Sequence, residues 1–243
     1  MRIKPFIIFA TLFTMLCAAL AFTPAFAKGS PEKKSTVKTP ELPGTFSLLP
    51  FDHIKGKTDA PVTVIIYASV TCQHCAHWFE TSWPDLKKNY VDTGKVNVVF
   101  REFITAPAQL AIAGFLIANC GPEDQYFPMI EYLMTEQKNT FNGVKDGNGL
   151  ETYLAIGKKA GLNTEEELNA CLAKKEGKDK LQLAADLASA GNIHGVPNFI
   201  IDGKVYKGRL DYGSLKVHID KLLKVSGSAI THLVHKQKLT NPL

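Results

Sequence analysis

The chain has 243 residues, of which 45% are hydrophobic and 21% are charged, so it can bury a core and is not an intrinsically disordered chain. Its 28 Lys and Arg residues against 23 Asp and Glu residues give a net charge of +5, which is too small to indicate nucleic-acid binding. Five cysteines are too few for a small disulfide-rich scaffold.

The first 27 residues have the pattern of a bacterial export signal. Arg2 and Lys4 precede an uncharged apolar run, and Ala25-Phe26-Ala27 then supplies the small residues of a cleavage site. An uncleaved N-terminal anchor is the alternative interpretation. We predict cleavage before Lys28 and export to the periplasm, an oxidising compartment in which disulfides persist.

The segment after the signal predicts a flexible leader followed by the start of a sheet. Residues 28–45 contain three prolines and no apolar period, which is typical of a flexible segment. We interpret the apolar patch Phe46–Phe51 as an edge strand. The run Val62–Tyr67 is β-branched and apolar on both faces, as expected of a strand in the middle of a sheet.

A βαβ unit is predicted from this strand onward. The sequence Cys72-Gln73-His74-Cys75 opens a predicted helix that runs to about Tyr90 and that Pro84 should kink. The run Val96–Phe100 supplies the second strand. The two cysteines therefore lie at the N-terminus of a helix that follows a buried strand.

From Ala106 to Ala190 the apolar residues recur at helical spacing, and strand character returns afterwards. This order predicts an α/β core with a helical insert. Thr164 and Glu167 form a capping box at the start of one of the helices. The predicted elements are helices around Leu110–Ile117, at Asp124–Gln137, at Leu150–Ala160, after Thr164 and at Asp179–Ala190, a loop at Asn139–Gly149, a hairpin of Asn198–Ile201 and Lys204–Lys207, and a helix at Tyr212–Leu223.

Cys72 and Cys75 carry the chemistry that the sequence indicates. A CxxC at the N-terminus of a helix places the first sulfur where free backbone N–H groups and the helix dipole stabilise a thiolate. A stabilised thiolate is a good leaving group, so the Cys72–Cys75 disulfide should be an oxidant, and His74 can add a donor or a positive charge. Two alternatives stay open, a structural disulfide and a zinc site that includes His77.

Several short segments, spread over about residues 46–224, form one pattern. They are Asp52-His53-Ile54 with Gly56, Asp59–Val64, Tyr67-Ala68-Ser69, Cys72–Cys75, Gly195-Val196-Pro197 and Ile201–Lys204. This pattern resembles the DsbA family, the exported thioredoxin-fold disulfide oxidoreductases of bacteria. The resemblance implies a thioredoxin-like α/β fold with an all-helical insert domain between the second and third core strands.

The resemblance also implies domain boundaries. Residues 46–105 and 191–224 are expected to form the thioredoxin-like core, and residues 106–190 the helical insert. Residues 225–243 carry histidines and lysines but no acid, and we interpret them as a solvated C-terminal tail.

The resemblance further implies a role for most residues of the candidate site. Cys72 is the exposed nucleophile, Cys75 is its buried partner, and His74 stabilises the Cys72 thiolate. Pro197 follows a cis peptide bond and faces the disulfide. The backbone of Val196 pairs with an extended segment of the substrate.

Gln73, which lies between the two cysteines, is a candidate substrate-binding residue. The best-known oxidases of the family have Pro-His between their cysteines, whereas this chain has Gln-His. Because that dipeptide tunes the redox potential, the oxidising strength stays open. Val196 before the proline matches the oxidases better than the Thr that is common in isomerases of this group.

Cys120 and Cys171 lie 51 positions apart in predicted helices of the insert. We predict that they form a structural disulfide, as some relatives carry a second disulfide in the insert. Closing a loop of this length stabilises the folded state by about 4 kcal/mol. Two free buried thiols are the alternative.

These features together predict a periplasmic thiol:disulfide oxidoreductase that donates the Cys72–Cys75 disulfide to reduced exported polypeptides. No cofactor, metal or nucleic acid is expected. The family implies reoxidation by a quinone-linked membrane oxidase of the DsbB kind. The alternatives are a disulfide isomerase or reductase kept reduced in the periplasm, and a metal chaperone that uses the CxxC. Isomerases of this group usually carry an N-terminal dimerisation domain, and residues 28–45 are too short for one, which favours a monomeric oxidase.

Overall fold

The computed structural model describes residues 44–225. The predicted signal peptide, residues 28–43 of the predicted leader and residues 226–243 of the predicted tail lie outside the described residues. The last residues of the leader were predicted to be flexible, and this is wrong. Thr45 is buried, and the carbonyls of Gly44 and Thr45 accept hydrogen bonds from the buried Arg101 side chain. The chain is therefore anchored to the core from residue 44 onward.

A five-stranded mixed sheet lies at the centre of the described residues. Its central strand is buried on both faces, as its apolar sequence predicts. The strands are β1 (Ile54–Lys55), β2 (Val62–Ala68), β3 (Val96–Glu102), β4 (Asn198–Ile201) and β5 (Lys204–Val205). Their spatial order is β1-β3-β2-β4-β5, in which β2 and β3 run parallel and the other neighbouring pairs are antiparallel.

Helices pack against this sheet, and most of them lie between β3 and β4. The first are α1 (Gln73–Thr81) and α2 (Trp83–Leu86), which a π-helical turn at Lys87–Val91 extends. Within residues 44–225, no helix is long and apolar enough to cross a membrane. The remaining helices are α3 (Ala108–Cys120), α4 (Tyr126–Thr135) after a 3-10 turn at Glu123–Gln125, α5 (Gln137–Lys145), α6 (Gly149–Lys159), α7 (Glu165–Ala173), α8 (Lys175–Ala190) and α9 (212–225).

The strand order and the helices between β3 and β4 confirm the predicted fold class. Successive residues of a strand point to opposite faces of the sheet, so β2 contributes to two hydrophobic clusters. Val64 and Ile66 face the larger cluster, which α1 and the insert helices cover. Ile65 and Tyr67 face the smaller cluster, which includes Ala188 of α8.

Two predicted elements near the N-terminus are wrong in detail. The helix predicted from Cys72 to Tyr90 is divided at Ser82, because Pro84 fits the first turn of a new helix but not the interior of a continuous one. The segment Phe46–Phe51 forms turns and a bend rather than an edge strand. The Ser47 carbonyl bonds to the Arg101 side chain and the Leu49 carbonyl to the Asp52 N–H, instead of to a neighbouring strand. The edge strand is Ile54–Lys55 instead.

The predicted loop at Asn139–Gly149 is also wrong, because most of it belongs to α5. Its Gly and Asn residues lower helix propensity but do not prevent a helix that is packed on one side. Gln137, Phe141 and Val144 recur at helical spacing, and all three are buried or half-buried. Packing of this face outweighs the composition from which the loop was predicted. The capping box of Thr164 and Glu167 is confirmed at the start of α7.

Arg101 of β3 fixes the segment before β1 to the sheet. Its guanidinium makes a bidentate ion pair with Asp52, at 3.1 Å from Nε to Oδ1 and 2.8 Å from Nη2 to Oδ2. Both side chains are almost fully buried, with 3% and 5% exposed. The remaining donors bond to the carbonyls of Gly44, Thr45 and Ser47. A buried charge with this many partners is costly to disturb, because removing one partner leaves the other charge unpaired.

We expect Arg101→Met to lower the free energy of unfolding by about 3–5 kcal/mol, since Asp52 would stay buried without a counter-charge. Urea unfolding followed by circular dichroism measures the change. The matched control is Lys175→Met, which breaks the exposed ion pair with Asp179 and should change stability by less than about 0.5 kcal/mol. Equal effects of the two variants would contradict an anchoring role for Arg101.

Candidate active site

The turn between β2 and α1 places the two cysteines just beyond the C-terminal end of β2, the central strand of the sheet. The Cys72 N–H donates to the Ser69 carbonyl at 3.1 Å, which closes the turn. Cys72 has extended backbone angles and is the N-cap of α1, and its carbonyl accepts the Ala76 N–H at 3.0 Å. The Cys72 sulfur thus lies at the N-terminus of the helix, as the sequence predicts.

The two thiols differ in their environment. Both are free in this structure; Cys72 is partly exposed, whereas Cys75 has no exposed surface. Burial raises the pKa of the Cys75 thiol well above its ordinary value, and the nearby Cys72 thiol adds to the rise. The Ser69 N–H donates to the Cys75 sulfur at 3.5 Å and partly offsets it. An attacking thiolate can therefore reach Cys72, while Cys75 is held protonated and out of reach.

The loop before β4 lies against the first cysteine. The register of β2 and β4 pairs Tyr67 with Asn198, so the residues just before Asn198 lie beside the turn that follows β2. The Cys72 sulfur is 3.6 Å from the Val196 carbonyl oxygen. The Val196–Pro197 bond is cis, and both residues are half-buried. The structure thus brings together Cys72, Val196 and Pro197, which are more than 120 positions apart.

Gln73 and His74 occupy the first turn of α1, and both are exposed. They lie next to the reactive sulfur without being held in the core, so they are free to meet a bound polypeptide. His77, considered for a zinc site, is exposed on the same helix. Among residues 44–225, no three His, Cys, Asp or Glu side chains come together in a way that could hold a metal ion.

Cys120 and Cys171 are joined by a disulfide, with a Cα–Cα distance of 6.0 Å. The bond links the last residue of α3 to α7 and thus ties two helices of the insert together. Cys171 is buried, and Cys120 is half-buried. The pair lies in the insert and takes no part in the contacts around Cys72.

A ring of three hydroxyl groups supports the turn before Cys72, and the sequence did not reveal it. Ser69 Oγ and Thr71 Oγ1 lie 3.1 Å apart, and the Thr105 hydroxyl is 2.7 Å from Thr71 and 2.8 Å from Ser69. The Gln137 side chain of α5 donates to the Val70 carbonyl at 2.8 Å. These contacts fix residues 69–72 from two sides. These Ser, Thr and Gln residues are far apart in the sequence and belong to no recognisable sequence motif, so their role is visible only in the folded structure.

We expect Thr105→Val to lower the free energy of unfolding by about 1–3 kcal/mol, because the Ser69 and Thr71 hydroxyls would lose a shared partner in a buried place. Thr105→Ser keeps the hydroxyl and should recover most of the loss. Urea unfolding of the reduced protein measures both variants. If the valine and serine variants have the same stability, the hydroxyl ring is not what supports the turn.

We expect Cys75 to resist alkylation in the folded protein. The comparison uses two single variants, Cys72→Ser, which keeps Cys75, and Cys75→Ser, which keeps Cys72. At pH 8, iodoacetamide should modify Cys75 in the first variant about tenfold or more slowly than it modifies Cys72 in the second. The reason is that each unit by which burial raises the pKa of Cys75 lowers its thiolate fraction about tenfold. Because the pKa is raised, the rate for Cys75 should keep increasing with pH beyond the ordinary thiol range. Mass spectrometry measures both rates. Similar rates in the folded state would contradict the asymmetry, whereas similar rates in denaturant are the expected control.

The chain resembles known proteins over most of the described residues. The profile of the thioredoxin family matches residues 49–221. A Rickettsia bellii protein named protein-disulfide oxidoreductase is 30% identical over 200 residues, which is 82% of this chain and 74% of that protein. A Bacillus anthracis protein named disulfide bond formation protein D is 31% identical over 173 residues, which is 70% of this chain and 77% of that protein.

A solved structure agrees with these relatives. The crystal structure of Wolbachia pipientis alpha-DsbA1 superimposes with a TM-score of 0.61 and 26% identity, and the match covers 76% of this chain and 96% of that one. The family profile, the relatives and the CxxC at the N-terminus of α1 all indicate one kind of chemistry. The chain therefore belongs to the thioredoxin family and within it to the DsbA-like thiol:disulfide oxidoreductases.

Proposed function

We propose that this oxidoreductase works as a thiol oxidase in the periplasm, where it donates the Cys72–Cys75 disulfide to reduced exported polypeptides. The placement of the partly exposed Cys72 sulfur at the N-terminus of α1 carries the proposal. Backbone N–H groups and the helix dipole at this position stabilise a Cys72 thiolate, which favours the reduced pair and makes the disulfide an oxidant. The name of the Bacillus relative, disulfide bond formation protein D, supports the same direction.

The reaction is two successive thiol–disulfide exchanges. A substrate thiolate attacks the Cys72 sulfur, a new S–S bond forms, and Cys75 leaves as a thiolate that takes up a proton. A second substrate thiolate then attacks the substrate sulfur of the mixed disulfide, and Cys72 leaves. The substrate loses two electrons and gains a disulfide, while the enzyme gains the two electrons as a pair of thiols. The Ser69 N–H stabilises the charge that develops on Cys75 in the first step.

The surrounding residues assist these steps. The N-terminus of α1 favours the Cys72 thiolate that leaves in the second step. The exposed imidazole of His74 lies in the first turn of the same helix and can add a further donor. The Val196 backbone, at 3.6 Å from the Cys72 sulfur, is placed to pair with an extended substrate segment, and exposed Gln73 borders the same approach.

The proposal includes a location and partners. The export signal in the first 27 residues supports a periplasmic location. The reduced enzyme needs an electron acceptor, for which a quinone-linked membrane oxidase of the DsbB kind is the proposed partner. The enzyme is proposed to act as a monomer.

The redox equilibrium of the Cys72–Cys75 pair with glutathione tests the proposal. We expect a potential toward about −120 mV, the oxidising end of the range for such enzymes. A value near about −270 mV, as in a thioredoxin, would contradict the oxidase and favour a reductase or isomerase with the same residues. Alkylation of reduced thiols followed by mass spectrometry measures the oxidised fraction, and Cys75→Ser, which cannot form the pair, is the control.

A further inference from the structure

A basic groove lies between α9 and the segment that contains β5. This segment contributes Lys204 and Lys207 to the lining, and α9 contributes Lys221. Tyr206 and His218 contact each other across the groove, with their ring centroids 4.9 Å apart. The contact of these two rings holds the β5 segment and α9 together, so the three lysines belong to one surface.

Neighbouring acids do not neutralise the three lysines. All three side chains are exposed, and Asp202 is the only acid among the described residues that line the groove. The lysines of residues 44–225 that form ion pairs with carboxylates lie elsewhere, and they are Lys87, Lys175, Lys180 and Lys216. The positive charge of this surface is therefore available to an anionic partner.

Two exposed valines of α9 lie beside these lysines. Val217 and Val225 keep 72% and 64% of their surface exposed, more than any other large hydrophobic residue that the structure describes. Lys221 is four residues away from each of them, so the three side chains share one side of α9. The other side is buried, because Leu215 and Ile219 belong to the larger hydrophobic cluster. The side of α9 that faces solvent thus combines aliphatic and cationic groups.

This combination matches the surface of an anionic phospholipid membrane. Lysine amines meet the lipid phosphates there, while aliphatic side chains enter the boundary between headgroups and acyl chains. An acidic polypeptide would pair with the lysines but would leave the exposed valines unused. A second copy of this chain, or residues 226–243, which contain lysines and no acid, would bring more positive charge to the groove. Charge and hydrophobicity together therefore favour lipid.

We propose that an anionic phospholipid bilayer is the partner of this basic docking surface, which consists of Lys204, Lys207, Val217, Lys221 and Val225. Lys204 pairs with Ile201 at the end of β4, whereas the start of β4 lies beside the Cys72 turn. Docking is therefore expected to leave Cys72 accessible to polypeptides near the membrane. It is a peripheral contact and is independent of the direction in which the thiols react.

Sedimentation with vesicles tests the proposal, with the exported protein after removal of its signal. Vesicles that contain phosphatidylglycerol should bind the wild type, and vesicles of phosphatidylcholine alone should not. Each lysine near an anionic membrane increases binding about fivefold, so replacement of the three groove lysines by Gln should weaken binding about a hundredfold. The matched control carries the same change at three exposed lysines of the insert helices and should bind like wild type; these are Lys145, Lys158 and Lys178.

Val217→Ser leaves the charge unchanged and tests the apolar part of the contact. It should weaken binding to the anionic vesicles about fourfold, which is the contribution of one buried methylene group. Equal vesicle binding by the two triple-lysine variants would overturn the proposal, because the contact would then lie elsewhere on the chain. Equal binding of the wild type to both kinds of vesicle would also overturn it.

Two further measurements separate the other partners. If the wild type binds soluble polyglutamate but not anionic vesicles, the surface takes an acidic polypeptide and the proposal is overturned. A wild-type dimer that Val217→Ser dissociates in the absence of lipid would assign the surface to a second copy, with the same consequence. Iodoacetamide should modify Cys72 of Cys75→Ser equally fast with and without anionic vesicles, and protection by the vesicles would contradict the proposed orientation. The redox equilibrium with glutathione is measured without lipid, so a failure of the oxidase proposal and a failure of membrane docking are distinguishable.

Discussion

The antiparallel register of β2 and β4 is the constraint on which the active site depends. Pairing of Tyr67 with Asn198 brings the C-terminal end of β2 next to the N-terminal end of β4. The turn with Cys72 and the loop with Val196 therefore meet beyond the same end of these two strands. Because side chains alternate along a strand, a slip of one residue would turn every side chain of β4 to the opposite face of the sheet and would shift the Val196 loop relative to the Cys72 turn. β2 is buried on both faces, so this pairing lies inside the core.

Buried polar groups then fix the segments that the sheet alone cannot hold. Arg101 anchors the chain before β1 through Asp52 and a set of backbone carbonyls. The hydroxyls of Thr71 and Thr105 perform a similar task for the turn before the reactive cysteine. In both places irregular backbone lies next to the sheet, where its polar groups need partners that no neighbouring strand provides. The stability of these segments therefore depends on a few side chains rather than on regular hydrogen-bond ladders.

Much of this arrangement follows from the sequence, and the exceptions have physical reasons. The central strand, the CxxC helix and the capping box of α7 are local patterns, and local patterns can be read without the fold. The loop predicted at Asn139–Gly149 is largely helical because half-buried Phe141 and Val144 lie at helical spacing from buried Gln137, a periodicity that composition does not show. The Thr105 hydroxyl joins the active-site turn only because the end of β3 lies beside that of β2.

The unequal environments of the two cysteines bear on the direction of the reaction that we propose. A mixed disulfide at Cys72 can be resolved either by Cys75 or by a second substrate cysteine, and the two routes compete. Burial raises the Cys75 pKa, which slows its attack on the mixed disulfide but also makes it a poorer leaving group in the first exchange. The proposed direction therefore rests on the stabilisation of a Cys72 thiolate at the N-terminus of α1, which favours the reduced pair. In this proposal, a substrate segment along the Val196 backbone would stay close to Cys72, where its second cysteine can attack and leave the electrons with the enzyme.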